Sequence, residues 1–203
     1  MLVLNSNMAK IKAAGNGTKK DSILKNAAAL FRKKGFRSAS VRELAEMMGV
    51  EAPSLYNHIG SKAELLQEIC FAIANDFTAN MKSVLSSDQN AAEKTASLIR
   101  FHIAKMYNDF DNVYVSDNEW KQLHKKDADD FLAKRRAYEN AFTGIIEEGI
   151  KKKFFAKMHP RIAMLTILSA LRGLELRQQN KKEFSLQELE ENMAQHLING
   201  ITK

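Results

Sequence analysis

The sequence predicts an all-α protein, and three observations predict it. Apolar residues recur at i, i+3, i+4 and i+7 along most of the chain. No run alternates with the period of two that a half-buried strand needs. Ser/Thr residues with Asp/Glu three positions later stand where several of the periodic stretches begin, the signature of a capped helix start. About nine helices are expected, with no internal repeat.

In chain order, residues 1–17 are rich in Asn, Gly, Lys and Ala without a sustained period and read as a flexible basic arm, with Lys10, Lys12, Lys19 and Lys20 able to follow a polyanion. Thr18 with Asp21 starts a first helix that buries Ile23, Ala27, Leu30 and Phe31 and stops at Gly35. The stretch 36–66 follows, FRSASVRELAEMMGVEAPSLYNHIGSKAELL, and it organises the rest. Ser40 with Glu43 opens a short helix whose apolar face is Val41, Leu44, Ala45 and Met48. Gly49 ends it, because glycine tolerates the positive φ that commonly follows a helix end. A second short helix, about 52–58, carries Pro53 in its first turn, where a missing N–H costs nothing. Its apolar positions are Ala52, Leu55, Tyr56 and Ile59. Ser61 with Glu64 then opens a long helix through Leu65, Ile69, Ala72/Ile73, Phe77, Met81 and Leu85, which links a small head to a larger body.

After a polar break at 86–91, a helix over 92–107 carries Leu98, Phe101, Ile103 and Met106. Residues 109–118 are acidic and read as irregular, and a short helix holds Trp120 and Leu123. A helix over 128–151 presents Phe131, Arg135, Tyr138, Phe142, Ile145 and Gly149 as a packing seam. Phe154 and Phe155 lie in a loop ended by His159-Pro160. Two closing helices are expected at 160–178 and 185–201, the last opened by Ser185 with Glu188. The division implied is an arm over 1–17, a head over 18–64 and a body over 65–203.

Two short amphipathic helices joined by a tight glycine-containing turn form a helix-turn-helix. Its second helix leaves Pro53, Ser54, Asn57 and His58 largely off the apolar stripe, free to enter a groove. Charge agrees with a DNA reader. Residues 1–60 carry a net charge of +6 and residues 61–203 a net of +1, so the basic footprint is confined to the head. A single cysteine, Cys70, excludes an internal disulfide and any cysteine-rich metal site. It lies on an apolar helical face and reads as inert core. The apolar start MLVL is too short for a secretory signal. No uninterrupted apolar stretch approaches the roughly 18 residues of a membrane span, so the cytoplasm is expected and no membrane contact.

Enzyme readings find no support. The five histidines are widely spaced, none has Glu three positions before it, and there is no GxGxxG, P-loop or GxSxG. No cofactor, metal site or catalytic residue is expected. Carboxylate pairs such as Asp129/Asp130 and Glu147/Glu148 read as solvated charge.

The motifs LFRKKGF, SVRELAEMMGV and SLYNHIGSKAELL closely resemble the DNA-binding domain of the TetR family of bacterial repressors. That family usually has a second aromatic where Asn57 stands, a phenylalanine where Ile59 stands and a capping serine where Glu51 stands. The stretch EWKQLHKKDADDFLAKRRAYENAFTGIIEEGIKKKFF is more distantly similar to ligand domains of TetR-type regulators of fatty-acid and steroid metabolism, whose effectors are often acyl-CoA thioesters. The resemblance implies a recognition helix in the major groove. Ala52, Pro53, Ser54 and Asn57 are then expected near base edges, with Asn57 suited to adenine and Pro53 or Ala52 to a thymine methyl. Ser40, Arg42, Tyr56, His58 and Lys62 are expected at phosphates. It also implies a homodimer on a near-palindromic operator, with heads roughly 34–36 Å apart or a multiple of that.

The closing helices, 160–178 and 185–201, are the expected pairing surface. There Ala163, Ser169, Ala170 and Gly173 permit close approach, and Leu165, Leu168, Met193, Leu197 and Ile201 supply apolar area. The body is longer than pairing demands and rich in aromatic residues, Phe71, Phe77, Phe110 and Tyr114 among them. Phe101, His102, Met106, Trp120, Tyr138, Phe142 and Arg172 are the expected lining of an effector pocket, with Arg135 as a further polar anchor. The function expected is a transcriptional regulator, a repressor released by a small, largely apolar, acyl-CoA-like effector. The alternatives are a ligand-independent DNA-binding protein and a coregulator on the same scaffold.

Overall fold

Helix starts in the computed structural model, which describes residues 18–174 and 184–202, sit where the capping pairs place them. The Thr18 hydroxyl accepts the Asp21 N–H and the Asp21 carboxylate accepts the Thr18 N–H. Ser40 with Glu43 and Ser185 with Glu188 close the same reciprocal pair. Asn90 with Glu93 forms a further one that moves the expected start at 92 back to Ala91. The pair at Ser61 is only half made. Its hydroxyl accepts the Glu64 N–H at 3.1 Å, while the Glu64 carboxylate lies against Gly60 instead of closing the box.

Among the described residues there are nine α-helices: α1 (Lys19–Lys34), α2 (Val41–Met48), α3 (Ala52–Tyr56), α4 (Lys62–Leu85), α5 (Ala91–Asn108), α6 (Phe110–Asn118), α7 (Lys125–Lys151), α8 (Pro160–Arg172) and α9 (Leu186–Asn199). A 3-10 turn, Trp120–Gln122, joins α6 to α7 and replaces the expected short helix. The proposed arm at 1–17 and the expected continuation at 175–178 lie outside the described residues. No described helix is long and apolar enough to cross a membrane.

Two apolar clusters hold the helices. One gathers Ile23, Ala27, Leu30 and Phe31 of α1, Leu44 of α2, Leu55 of α3 and Leu65, Leu66 and Ile69 of α4. It does not stop at the head: Val115 of α6, Leu123 just after the 3-10 turn and Phe131 of α7 belong to the same cluster. The other joins Met81 and Val84 of α4 with Leu98 and Ile99 of α5, Phe142, Ile145 and Ile146 of α7, and Met164, Ile167 and Leu168 of α8. α9 lies along α5, and α7 packs against α8, α5 and α4. Gly149 is required where α7 ends: a Cβ there would strike the Phe155 ring and lie 3.1 Å from the Ala91 Cβ. Beyond it, Ala156 N–H donates to the Ile201 carbonyl at 2.8 Å, tying the loop to the end of the chain.

Three expectations are corrected. Residues 109–118 are not irregular but carry α6, whose apolar residues serve two different neighbours and so form no single stripe. The recognition helix is shorter than 52–58, ending at Tyr56, which therefore leaves the apolar face and is 55% exposed. Leu85 is exposed, and Val84 takes the core position at the end of α4.

Candidate nucleic-acid interface and effector cavity

The turn of the helix-turn-helix is set by Gly49, at φ 66° and ψ 33°, whose N–H donates to the carbonyl of Glu46 at 3.1 Å. Val50 N–H donates to the Ala45 carbonyl at 3.0 Å, which closes the end of α2 and aims α3 outward. Leu55 and Ile59 anchor α3 in the core, so Pro53, Tyr56, Asn57 and His58 project from one exposed surface. Ala52 and Ser54 are half-buried at its edge. Arg42 is exposed on α2 and pairs with Glu46 at 3.2 Å. Ser40 is exposed, but its hydroxyl serves the cap of α2, donating to Glu43 Oε2 at 3.1 Å.

Lys62, expected at a phosphate, turns its ammonium to the loop before α2. Its ammonium donates to the carbonyls of Phe36 and Ala39, both at 2.8 Å, and lies 3.4 Å from that of Arg37. It also sits 4.5 Å from the centre of the Phe36 ring.

Behind the head, α4, α5, α6, α7 and α8 enclose a cavity of about 90 Å³. Its walls are mainly apolar: Ile73, Ala74 and Phe77 from α4, Met106 from α5, Val113 from α6, Phe131 from α7, and Leu168 and Leu171 from α8. Polar groups are few. Tyr138 Oη lies 2.9 Å from His102 Nε2, and Phe77 packs on both rings. Burial pushes the His102 imidazole down to about 3, with the Arg172 charge adding to the shift, so the ring is neutral. Burial also pushes the Tyr138 phenol up. Arg135 pairs with Asp117 at 3.3 Å, and both line the cavity with Ser116, Lys134, Glu139 and Arg172.

Four of the seven residues expected at a pocket are therefore together: His102, Met106, Tyr138 and Arg172. Three are not. Phe101 stacks edge-on behind Phe77 at 5.2 Å, Phe142 is fully buried in the body core, and Trp120 stacks on the far side of Phe131 at 6.1 Å. The α6 lining, Val113, Ser116 and Asp117, is hidden when that stretch is read as a loop; the three share one helical face, but two of them are polar and leave no apolar period.

α6 faces two ways. Opposite the cavity, Val115 is buried in the head cluster, Asp111 pairs with Arg32 of α1, and the Arg32 guanidinium lies 5.3 Å from the Phe110 ring centre. Arg37, just after α1, donates to Gln122 Oε1 at 2.9 Å.

The candidate pairing surface is unequal. On α8, Ile162 is 61% and Leu165 45% exposed, beside exposed Thr166 and Ser169. Ala163 and Leu168 face the chain's own core, as does Ile201, and so supply no outer surface. On α9, Met193 and Leu197 are half-buried against that core, and the outer face is Gln187, Glu191, Asn192, Gln195 and His196.

Comparison with known proteins matches these two regions. Residues 23–69 match the family described as bacterial regulatory proteins, tetR family, and residues 88–201 match the tetracyclin repressor-like C-terminal domain. The chain is 22% identical over 139 residues to the HTH-type transcriptional repressor KstR2 of Mycobacterium tuberculosis, covering 68% of this chain and 70% of that one. It is 23% identical over 143 residues to KstR2 of Rhodococcus jostii, covering 70% of each. The solved structure of the ketosteroid transcriptional regulator KstR2 of Mycobacterium tuberculosis shares the fold with a TM-score of 0.85 at 20% identity, covering 94% of this chain and 98% of that chain. AibR, in complex with isovaleryl coenzyme A and operator DNA, shares it with a TM-score of 0.76 at 17% identity, covering 90% and 97%. The exposed helix-turn-helix and the helical body behind it are thus those of a DNA-binding regulator of transcription and not of an enzyme: the chain belongs to the tetR family of bacterial regulatory proteins.

Proposed function

We propose that the chain is a repressor that holds a near-palindromic operator as a homodimer and lets go when a small, largely apolar effector enters the cavity. α6 carries this reading, because one of its faces lines the cavity and the other grips α1 of the head. The division of labour follows: an arm over 1–17, a DNA-reading head over 18–64, and a body over 65–203 that binds effector and pairs. Pro53 and Asn57 meet base edges, with Ala52 and Ser54 at the margin of the contact, while Ser40, Arg42, Tyr56 and His58 meet phosphates. Pairing runs through the exposed face of α8 with α9 beside it. Two copies are needed because one short helix reads too few base pairs for selectivity.

The cavity favours the class of effector. Its neutral His102–Tyr138 pair can hydrogen-bond an uncharged polar atom of the effector. About 90 Å³ is well below the roughly 300 Å³ at which whole drug-sized ligands fit. The cavity therefore accepts a compact apolar end, and Lys134 and Arg172 of its lining suit a negatively charged remainder. An acyl-CoA-like thioester has that shape, and AibR, of the same fold, is described with isovaleryl coenzyme A. An effector that prefers heads set for no operator lowers DNA affinity only by its differential affinity for the two states. α4 and α6 carry that difference from cavity to head.

The test begins with native mass spectrometry for co-purified small molecules and selection of duplexes from a random pool. The selected duplex should be retarded by a dimer and released by short acyl-CoA thioesters. Trp120, the one tryptophan, sits behind the cavity wall and its emission should shift on the same titration. A monomer that retards no duplex at low ionic strength would overturn the reading. A dimer that binds duplex yet takes up no small molecule would favour the ligand-independent alternative.

A further inference from the structure

We infer that Asn80 determines which effector the cavity takes, by accepting a hydrogen bond from a hydroxyl group on the effector's buried chain. This role rests on the cavity being an effector site and narrows the class of molecule it admits. On α4 the core face runs Ile69, Ile73, Phe77, Asn80 and Val84, spaced by four, four, three and four residues. Ile69, Ile73 and Val84 are buried, so a polar amide stands within an otherwise apolar stripe. Asn80 is half-buried, but its side-chain oxygen is closed off from the surface. Among the described residues it is the one buried side-chain nitrogen or oxygen without a hydrogen-bond partner. Buried acceptors are ordinarily bonded, and an amide oxygen has two lone pairs to offer. This one calls for a donor.

The position of Asn80 beside the cavity indicates which donor. α4 contributes Ile73, Ala74 and Phe77 to the lining, which ends there at the Phe77 ring. Asn80 follows Phe77 on the same face, about 4.5 Å further along the helix axis. The Phe77 ring is half-buried and held by edge contacts alone: its centre lies 4.5 Å from His102, 5.7 Å from Tyr138 and 5.2 Å from Phe101. A chain that turns this ring aside reaches from the His102–Tyr138 pair to Asn80. Two uncharged polar points then stand at the ends of an apolar passage. His102 and Tyr138 meet the carbonyl of an acyl thioester, and Asn80 meets a hydroxyl near the far end of the acyl chain. A plain alkyl chain leaves the Asn80 oxygen unpaired, whereas a hydroxylated one satisfies it. The effector class is accordingly an acyl thioester hydroxylated away from its carbonyl.

The test uses the full chain and its Asn80→Leu variant. Each is titrated with hexanoyl-CoA and with ω-hydroxyhexanoyl-CoA, followed by calorimetry and Trp120 emission, and each is melted without ligand. The wild type should bind the hydroxylated thioester roughly tenfold more tightly, the order of one hydrogen bond made in a buried site. Asn80→Leu should lose that preference and bind hexanoyl-CoA at least as tightly as the wild type does. Without ligand it should also melt higher, because leucine keeps nearly the same shape and removes the unpaired oxygen. A role confined to holding α4 in place predicts the reverse, a lower melting point.

The role of Asn80 is overturned if the wild type binds both thioesters alike, or if Asn80→Leu keeps the preference. It is overturned equally if Asn80→Leu melts lower or does not fold, since the amide is then already satisfied within the protein. A wild type that binds neither thioester overturns the effector class and this role together, whereas equal binding of the two overturns this role alone.

Discussion

His102 keeps a neutral ring beside Tyr138 because a charged one would lose its water and face the Arg172 guanidinium. Its folded value, about 3, lies below the 6.5 of the free side chain. Between those two pH values the unfolded chain binds a proton that the folded chain refuses, so stability falls as pH falls through that window and is flat above it. From pH 7 to pH 5 this amounts to at most about 2 kcal/mol. Urea unfolding at the two pH values should show the loss in the wild type and a smaller one in His102→Gln. Equal losses would mean that the ring is solvated. At Cys70 burial acts the same way on a different group, pushing the thiol up to about 12, so it stays protonated and unreactive in the fold. Its inertness was legible in the apolar sequence around it. The three misplaced aromatics were not: Phe101, Trp120 and Phe142 have the right chemistry, but which apolar face each joins is settled by how helices cross.

α6 is the element whose role could not be read from its own residues. α1, α2 and α4 announce themselves with a capping residue and one apolar stripe, because each turns one main face to the core. α6 divides its apolar side chains between the cavity and the head, and its acids, Asp111 and Asp117, both make ion pairs. A two-faced helix of nine residues has no stripe to detect. Its coupling to the head is open to mutation. Arg32 and Asp111 are partly exposed, so Arg32→Met should cost under about 1 kcal/mol of stability. The variant should still bind the selected duplex but need more effector for release. Release at the wild-type effector concentration would exclude this route and leave α4 as the carrier.

For the whole molecule, the outward stripe of α8 decides whether two heads act together. Ile162 and Leu165 are exposed apolar residues one turn apart on that helix. Replacing both by Asp should give a folded monomer in sedimentation, with unchanged helical circular dichroism and no retention of the selected duplex. A dimer after that double change would move the pairing surface elsewhere. The order of helices was legible because each depends on local periodicity and caps. The split of α8 between core and surface was not, because Ala163 and Leu168 alternate with Ile162 and Leu165 around one helix that is apolar on more than one side.

The cluster that joins Ile23 to Phe131 has a practical consequence for anyone grafting this reading head onto another regulator. A chimaera spliced within α4, at 64/65, would strip the graft of Val115, Leu123 and Phe131 and bare a greasy underside. The transplantable piece is the head together with the tip of α6 and the start of α7, so specificity and allosteric wiring would have to travel in one parcel.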